Sequence, residues 1–183
     1  MKKIKLKIEK GTVYVDAAPY EEYLKEKRDS FPEAVRNYLD GLHDGQPDSF
    51  GVHDADLDRL KLEEVLEEVM EDADLVRTDA SLVLVQPDMD IHLHYKNVLS
   101  YAMNMDNLEK PSRASSNCAV LFDELVMVEG GPGGELVRHE LFWNNGSMVI
   151  VCEEFDYRVE PVERPDRSRC LSDIRMYSTM PWE

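Results

Sequence analysis

In the run Ile91-His92-Leu93-His94-Tyr95, an extended backbone puts His92 and His94 on one face and the three apolar residues on the other. Two imidazoles on one face can share a metal ion. Asp90 and Asp88 lie just upstream and supply oxygen donors, so His92, His94 and Asp90 form a candidate site for a divalent transition metal, in a small hydrolase where it would activate water or in a ligand-binding domain. The bland alternative is the polar face of a half-buried strand. A cupin-type set is excluded because no glutamate follows His94 at the required short distance. An amidohydrolase barrel is excluded by length, since that fold takes roughly 250 residues and the chain has 183.

Other runs offer less. His53-Asp54-Ala55-Asp56-Leu57-Asp58 begins like a calcium loop, but the glycine position is Arg59 and the closing glutamate position is Val65, so the ligand set is not completed. His43-Asp44 and His53-Asp54 carry the dipeptide of one phosphohydrolase class without its further ligands. Gly130-Gly131-Pro132-Gly133-Gly134 fits neither dinucleotide nor phosphate loops and reads as a connection between strands. Cys118 and His139 could be paired on paper as nucleophile and base. Yet His139 sits between Val137 and Leu141 on an apolar face, where a core histidine with one hydrogen bond is expected.

The remaining candidate is charge. The chain holds 38 acids against 21 bases, a formal net charge of −17. Residues 40–90 contain sixteen acids and only Arg59, Lys61 and Arg77, which gives that stretch −13 of the total. Such a field repels nucleic acid and anionic membranes and speeds encounter with a basic surface. Asp54, Asp56, Asp58, Glu63, Glu64, Glu67, Glu68, Glu71, Asp72 and Asp74 are therefore the candidate contacts to a basic protein partner. No catalytic set is complete, so the sequence favours a binding or inhibitor protein over an enzyme. The behaviour has analogues in immunity proteins and nucleic-acid mimics, and it needs no cofactor. A third possibility is a structural subunit that docks a neighbour through Tyr101, Met103 and Met105.

The elements that must position these groups follow from periodicity. Ile4, Leu6 and Ile8 alternate with lysines, Gly11 interrupts, and residues 12–15 resume, predicting an opening β-hairpin. Pro19 suits the first turn of a helix through Tyr20, Tyr23 and Leu24; a second helix follows Ser30 with Phe31, Val35, Tyr38 and Leu39, ended by Gly41 and Gly45. Leu57, Leu60, Leu62, Val65, Leu66, Val69, Met70 and Ala73 suggest a long amphipathic helix with the acids on its outer side. Strands are predicted over 82–85, 91–95, 119–128, 136–143, 148–152 and 155–159, with Asn144-Asn145-Gly146 as a tight hairpin turn. Residues 98–108 could form a short helix and 109–117 a loop.

The fold class expected is α+β: one domain over 1–183, its N-terminal hairpin and helices packed on one face of a mainly antiparallel curved sheet formed largely by the C-terminal half. No apolar run approaches the roughly 20 residues of a membrane helix, and Met1-Lys2-Lys3-Ile4-Lys5 is not a signal core. Three cysteines, Cys118, Cys152 and Cys170, suit reduced thiols, so a soluble cytoplasmic protein is expected.

Overall fold

A computed structural model describes residues 3–9, 12–43, 52, 55–70, 73–86, 88–105, 120–130, 134–143 and 146–162. The chain opens with β1 (Lys5–Glu9) and β2 (Thr12–Asp16), an antiparallel hairpin as the lysine-aliphatic alternation predicts. Helix α1 (Ala18–Lys27) carries Pro19 in its first turn, where the missing N–H costs nothing. A single 3-10 turn, Arg28–Ser30, leads to α2 (Glu33–His43). This helix runs through Gly41 instead of ending there. A Cβ at Gly41 would lie 3.2 Å from the Tyr157 hydroxyl, so the glycine serves close approach to the sheet and not termination.

The remainder is one six-stranded antiparallel sheet in the order β3-β4-β5-β8-β7-β6. Its strands are β3 (Asp56–Met70), β4 (Ala73–Val85), β5 (Met89–Met105), β6 (Val120–Gly130), β7 (Gly134–Trp143) and β8 (Gly146–Pro161). Thus the fold is mainly antiparallel sheet with two short helices, and two of the six strands come from before residue 86. The sheet curls: Val120 N–H, at the start of β6, donates to Ala55 O, just before β3, at 2.8 Å, so its two outermost strands meet.

The long helix predicted over 57–73 does not exist. Its described residues belong to β3, up to Met70, and to the start of β4 at Ala73. A bulge explains the misreading: the register shifts between Leu57 and Arg59, which brings Leu57 and Leu60 to the same face although they are three residues apart. The spacing of three mimics a helical repeat. The short helix predicted over 98–108 is likewise absent up to residue 105, because β5 continues to Met105. Residues 106–119, including the predicted loop and Cys118, lie outside the described residues.

The core lies on the apolar face of the sheet. Leu82, Leu84, Ile91, Leu93, Tyr95, Leu125, Val137, Leu141, Met148 and Ile150 are all buried there. Helix α2 adds Val35, Tyr38 and Leu39, whose i, i+3, i+4 spacing forms one stripe. A smaller cluster of Ile4, Tyr20 and Val126 joins α1 and the N-terminus to β6. At the β6–β7 turn only glycine fits at 130, because a Cβ there would stand 2.5 Å from Gly134 O and 2.6 Å from Leu136 Cγ. Among the described residues no helix is long and apolar enough to cross a membrane.

Candidate functional site

Three groups of polar side chains are large enough to consider. The first lies where α2 meets the sheet. Asp123 on β6 and His139 on β7 point into the core, each about 1% exposed. Tyr38 donates its hydroxyl to Asp123 Oδ2 at 2.7 Å, His139 Nε2 lies 3.0 Å from the same oxygen, and His139 Nδ1 lies 2.9 Å from the Tyr95 hydroxyl. With Asp123 as a carboxylate, one donor set is self-consistent: Tyr95 O–H gives to Nδ1, and Nε2–H and Tyr38 O–H both give to Asp123. Edge-on packing of Tyr38 against Phe155 and His139, with centroids 5.2 and 5.6 Å away, holds the ring in place. Burial, reinforced by the Asp123 charge, drives the Tyr38 hydroxyl well above its ordinary pKa, so it remains a donor. Burial does the same to Tyr95.

Behind it, on the other face of the same two strands, Glu124 and Glu140 sit directly opposite each other and fully buried. Arg138 bonds Glu140 and holds Nη1 3.6 Å from Glu124 Oε1. Glu124 Oε2 also accepts the N–H groups of Lys3 and Ile4, each at 2.6 Å. These residues pin the N-terminus and α2 to β6 and β7. His139 is a core histidine as expected, with two ring partners instead of one. With its side chain wholly enclosed, the chain from Tyr95 to Tyr38 joins elements and presents no reactive atom to solvent.

Sequence reading missed this network, although its signal was present. Asp123-Glu124 interrupts the apolar run 119–128, and Arg138-His139-Glu140 interrupts 136–143. Adjacent charges inside an apolar run mark a strand buried on both faces, where each polar group must find a partner.

The second group is the histidine strand. His92 and His94 do share the face opposite Leu93, their rings nearly parallel at 8° with centroids 6.5 Å apart. In register with them on β8 stand Arg158 and Asp156, and Asp90 faces Glu160. Glu160 is shared: its Oε2 lies 3.3 Å from His92 Nε2 and its Oε1 lies 2.9 Å from Arg158 Nη2. The face is a ladder of alternating charges that continues through Lys96 and Glu154, 3.0 Å apart. Among the described residues no group of three or more His, Cys, Asp or Glu is gathered as a metal-ion cage.

The third group is the acidic stretch. Strand β3 pairs with β4 along its length, whereas β4 pairs with β5 only from Ala80 to Val85. Residues 63–70 and 73–79 therefore form a two-stranded ribbon with no further strand beside it among the described residues. Its described residues include six acids, Glu63, Glu64, Glu67, Glu68, Asp74 and Asp79, against Arg77 alone. Glu63 stands directly opposite Asp79 in register, an arrangement that costs stability when uncompensated. Lys61 bonds Glu63, and Arg77 Nε lies 3.3 Å from Asp79 Oδ1. That uses the nearby bases and leaves Glu64 exposed. Asp56 and Asp58 are partly buried at the other end of β3, and Asp58 is 3.9 Å from Arg59.

The backbone places Glu67, Glu68 and Asp74 along the ribbon; Asp54, Glu71 and Asp72 lie outside the described residues. Glu63, Glu64, Glu67, Glu68 and Asp74 are thus carried by a two-stranded ribbon and not by the outer side of a helix. No protein-family model matches the chain, and no curated protein matches it by sequence.

Proposed function

We propose that the protein is a non-catalytic binding protein whose acidic ribbon, residues 63–70 and 73–79, engages and neutralises a basic protein partner. A nuclease cleft or a basic nucleic-acid-binding protein has the required chemistry, which would make this chain an inhibitor in the manner of an immunity protein or nucleic-acid mimic. One observation carries the reading: six described acids, Glu63, Glu64, Glu67, Glu68, Asp74 and Asp79, and one base, Arg77, lie on a two-stranded extension of the sheet beyond its pairing with β5. Charges held on a paired backbone are preorganised, so a cationic partner meets a fixed field and less ordering entropy is lost on binding.

On this reading the curved sheet holds the ribbon, the helices pack on it, and the protein works in the cytoplasm. It requires no cofactor and does not contact nucleic acid directly. The test is affinity capture from the cell of origin at low and high salt, with the eluted proteins identified. A basic protein retained at low salt and released at high salt is the expected result. Retention that ignores salt would count against the reading, because exposed charges are screened over about 8 Å at physiological ionic strength.

A further inference from the structure

The chain treats its sheet edges unequally. On β6 the free backbone is closed by α1: Leu125 N–H donates to the Tyr20 hydroxyl at 2.9 Å, which donates back to Leu125 O at 3.0 Å. Met127 N–H donates to the Tyr23 hydroxyl at 2.8 Å. On β3 the edge carries charges and two register shifts, both of which discourage pairing with another chain.

Strand β5 is different. Its first half lies between β4 and β8, but β4 leaves it after the Ala80 and Tyr95 pair. At that fork Asn97 adopts a left-handed φ of 50°, and its N–H is held by Asp79 Oδ1 at 3.0 Å. From residue 98 to 105 the strand pairs with β8 alone among the described residues.

This open stretch is Val98-Leu99-Ser100-Tyr101-Ala102-Met103-Asn104-Met105, without a charge, a proline or a glycine in a chain that is 32% charged. Leu99 is 57% exposed and Tyr101 52%, and Ser100, Ala102 and Asn104 are exposed as well. Across the fork on β4, Val76 is 55% exposed. One register shift, between Val98 and Ser100, interrupts the stretch, but it has neither the charges of β3 nor the tyrosine cover of β6. An uncharged, apolar strand whose second edge is open among the described residues is a template for strand addition, most regular over Ser100–Met105.

The surrounding charge selects the occupant. The other bank of the fork is the acidic ribbon, with Glu63, Glu64 and Asp79 described beside it. A second copy would bring its own −17, so like-charge repulsion opposes edge-to-edge pairing of two such chains. We propose that residues 98–105 accept, by strand addition, an extended segment of the basic partner in which apolar residues alternate with lysine or arginine. Main-chain hydrogen bonds would fix the register, apolar side chains would cover Leu99 and Tyr101, and the cations would face the ribbon. The proposal rests on the basic-partner reading and specifies how that partner binds.

The test uses two labelled octapeptides of equal charge on the full chain, one alternating lysine with valine and the other lysine with proline. Proline keeps the charge but cannot donate to a strand ladder. The lysine-valine peptide should bind at least tenfold more tightly, and it should slow amide exchange at 98–105. Leu99→Ser with Tyr101→Ser should remove most of that preference. Equal affinity for the two peptides would overturn strand addition while leaving the charge reading standing. If neither peptide binds, both fall. Protection confined to the ribbon would overturn the site, and a concentration-dependent dimer protected at 98–105 would replace the basic segment with a second copy.

Discussion

Asp123 is the residue on which the interior most depends. It accepts from Tyr38 and from His139 on a single oxygen, far from water. Removing one donor differs from removing the acceptor. Tyr38→Phe leaves His139 in place and should cost about 1.5–3 kcal/mol, the range for a hydrogen bond to a charged group. Asp123→Ala strands Tyr38 and His139 together and should cost about 3–5 kcal/mol. Chemical denaturation of the two variants checks the order; an Asp123→Ala variant no less stable than Tyr38→Phe would mean that the carboxylate does not organise the cluster.

Protonation gives a second expectation at this scale. Burial pushes the Cys152 thiol up to about 12 from 9.0, and raises Tyr20, Tyr38 and Tyr95 well above 10.0. Below pH 9 these groups are protonated in both folded and unfolded chains and add no pH dependence. As pH rises above 9.0 the unfolded chain releases the thiol proton, then above 10.0 its tyrosine protons, while the folded chain retains them. The unfolded state then binds fewer protons, so stability falls with rising pH. Denaturation midpoints measured from pH 8 to 11 should decline, steepest above 10; a flat profile would contradict the enclosed positions of these side chains.

At the scale of elements, the tyrosines of α1 do for β6 what a neighbouring strand would do. Tyr20→Phe with Tyr23→Phe removes the groups that satisfy Leu125 and Met127 backbone atoms. Each change should cost about 1 kcal/mol, and light scattering should show more aggregation on mild heating as the β6 edge opens. Unchanged scattering would show that the helix body alone shields the edge.

Much of the element order was legible. The β1–β2 alternation, Pro19 at the start of α1 and the Asn144-Asn145-Gly146 signal between β7 and β8 all act locally, so one chain segment contains the information. What misled was irregularity. A bulge at Asp58 turned a period of two into a spacing of three, and the register shift between Val98 and Ser100, just after the left-handed Asn97, broke the alternation of β5 so that its second half read as a helix. Both are set by pairing between strands, with the next strand β4 for the first and with the distant β8 for the second. The interior network was obscured for a related reason: Asp123 and His139 come together through β6–β7 pairing, and Tyr38 reaches them from 85 residues away.

For the whole molecule the central quantity is where the charge lies, since −17 spread evenly would attract any cation without preference. The strand order separates the functions. Strands β5 to β8 and α2, with Leu57, Leu82 and Leu84 from one end of the β3–β4 pair, bury the core and the Asp123 network, while the other end of that pair carries acids past the point where it parts from β5. A ribbon held by one partner strand can carry charge that the interior could not accept without pairing.

The most direct measurement compares two triple charge reversals that alter the net charge equally. One is Glu63→Lys, Glu64→Lys and Glu67→Lys on the ribbon; the other is Glu21→Lys, Glu22→Lys and Glu26→Lys, three exposed positions on α1. Titration of each with the lysine-valine peptide at low salt gives the answer. The account predicts that the ribbon variant loses at least tenfold more affinity than the α1 variant. Equal losses would contradict it, because they would show that only the total charge matters and that the ribbon is not the binding surface.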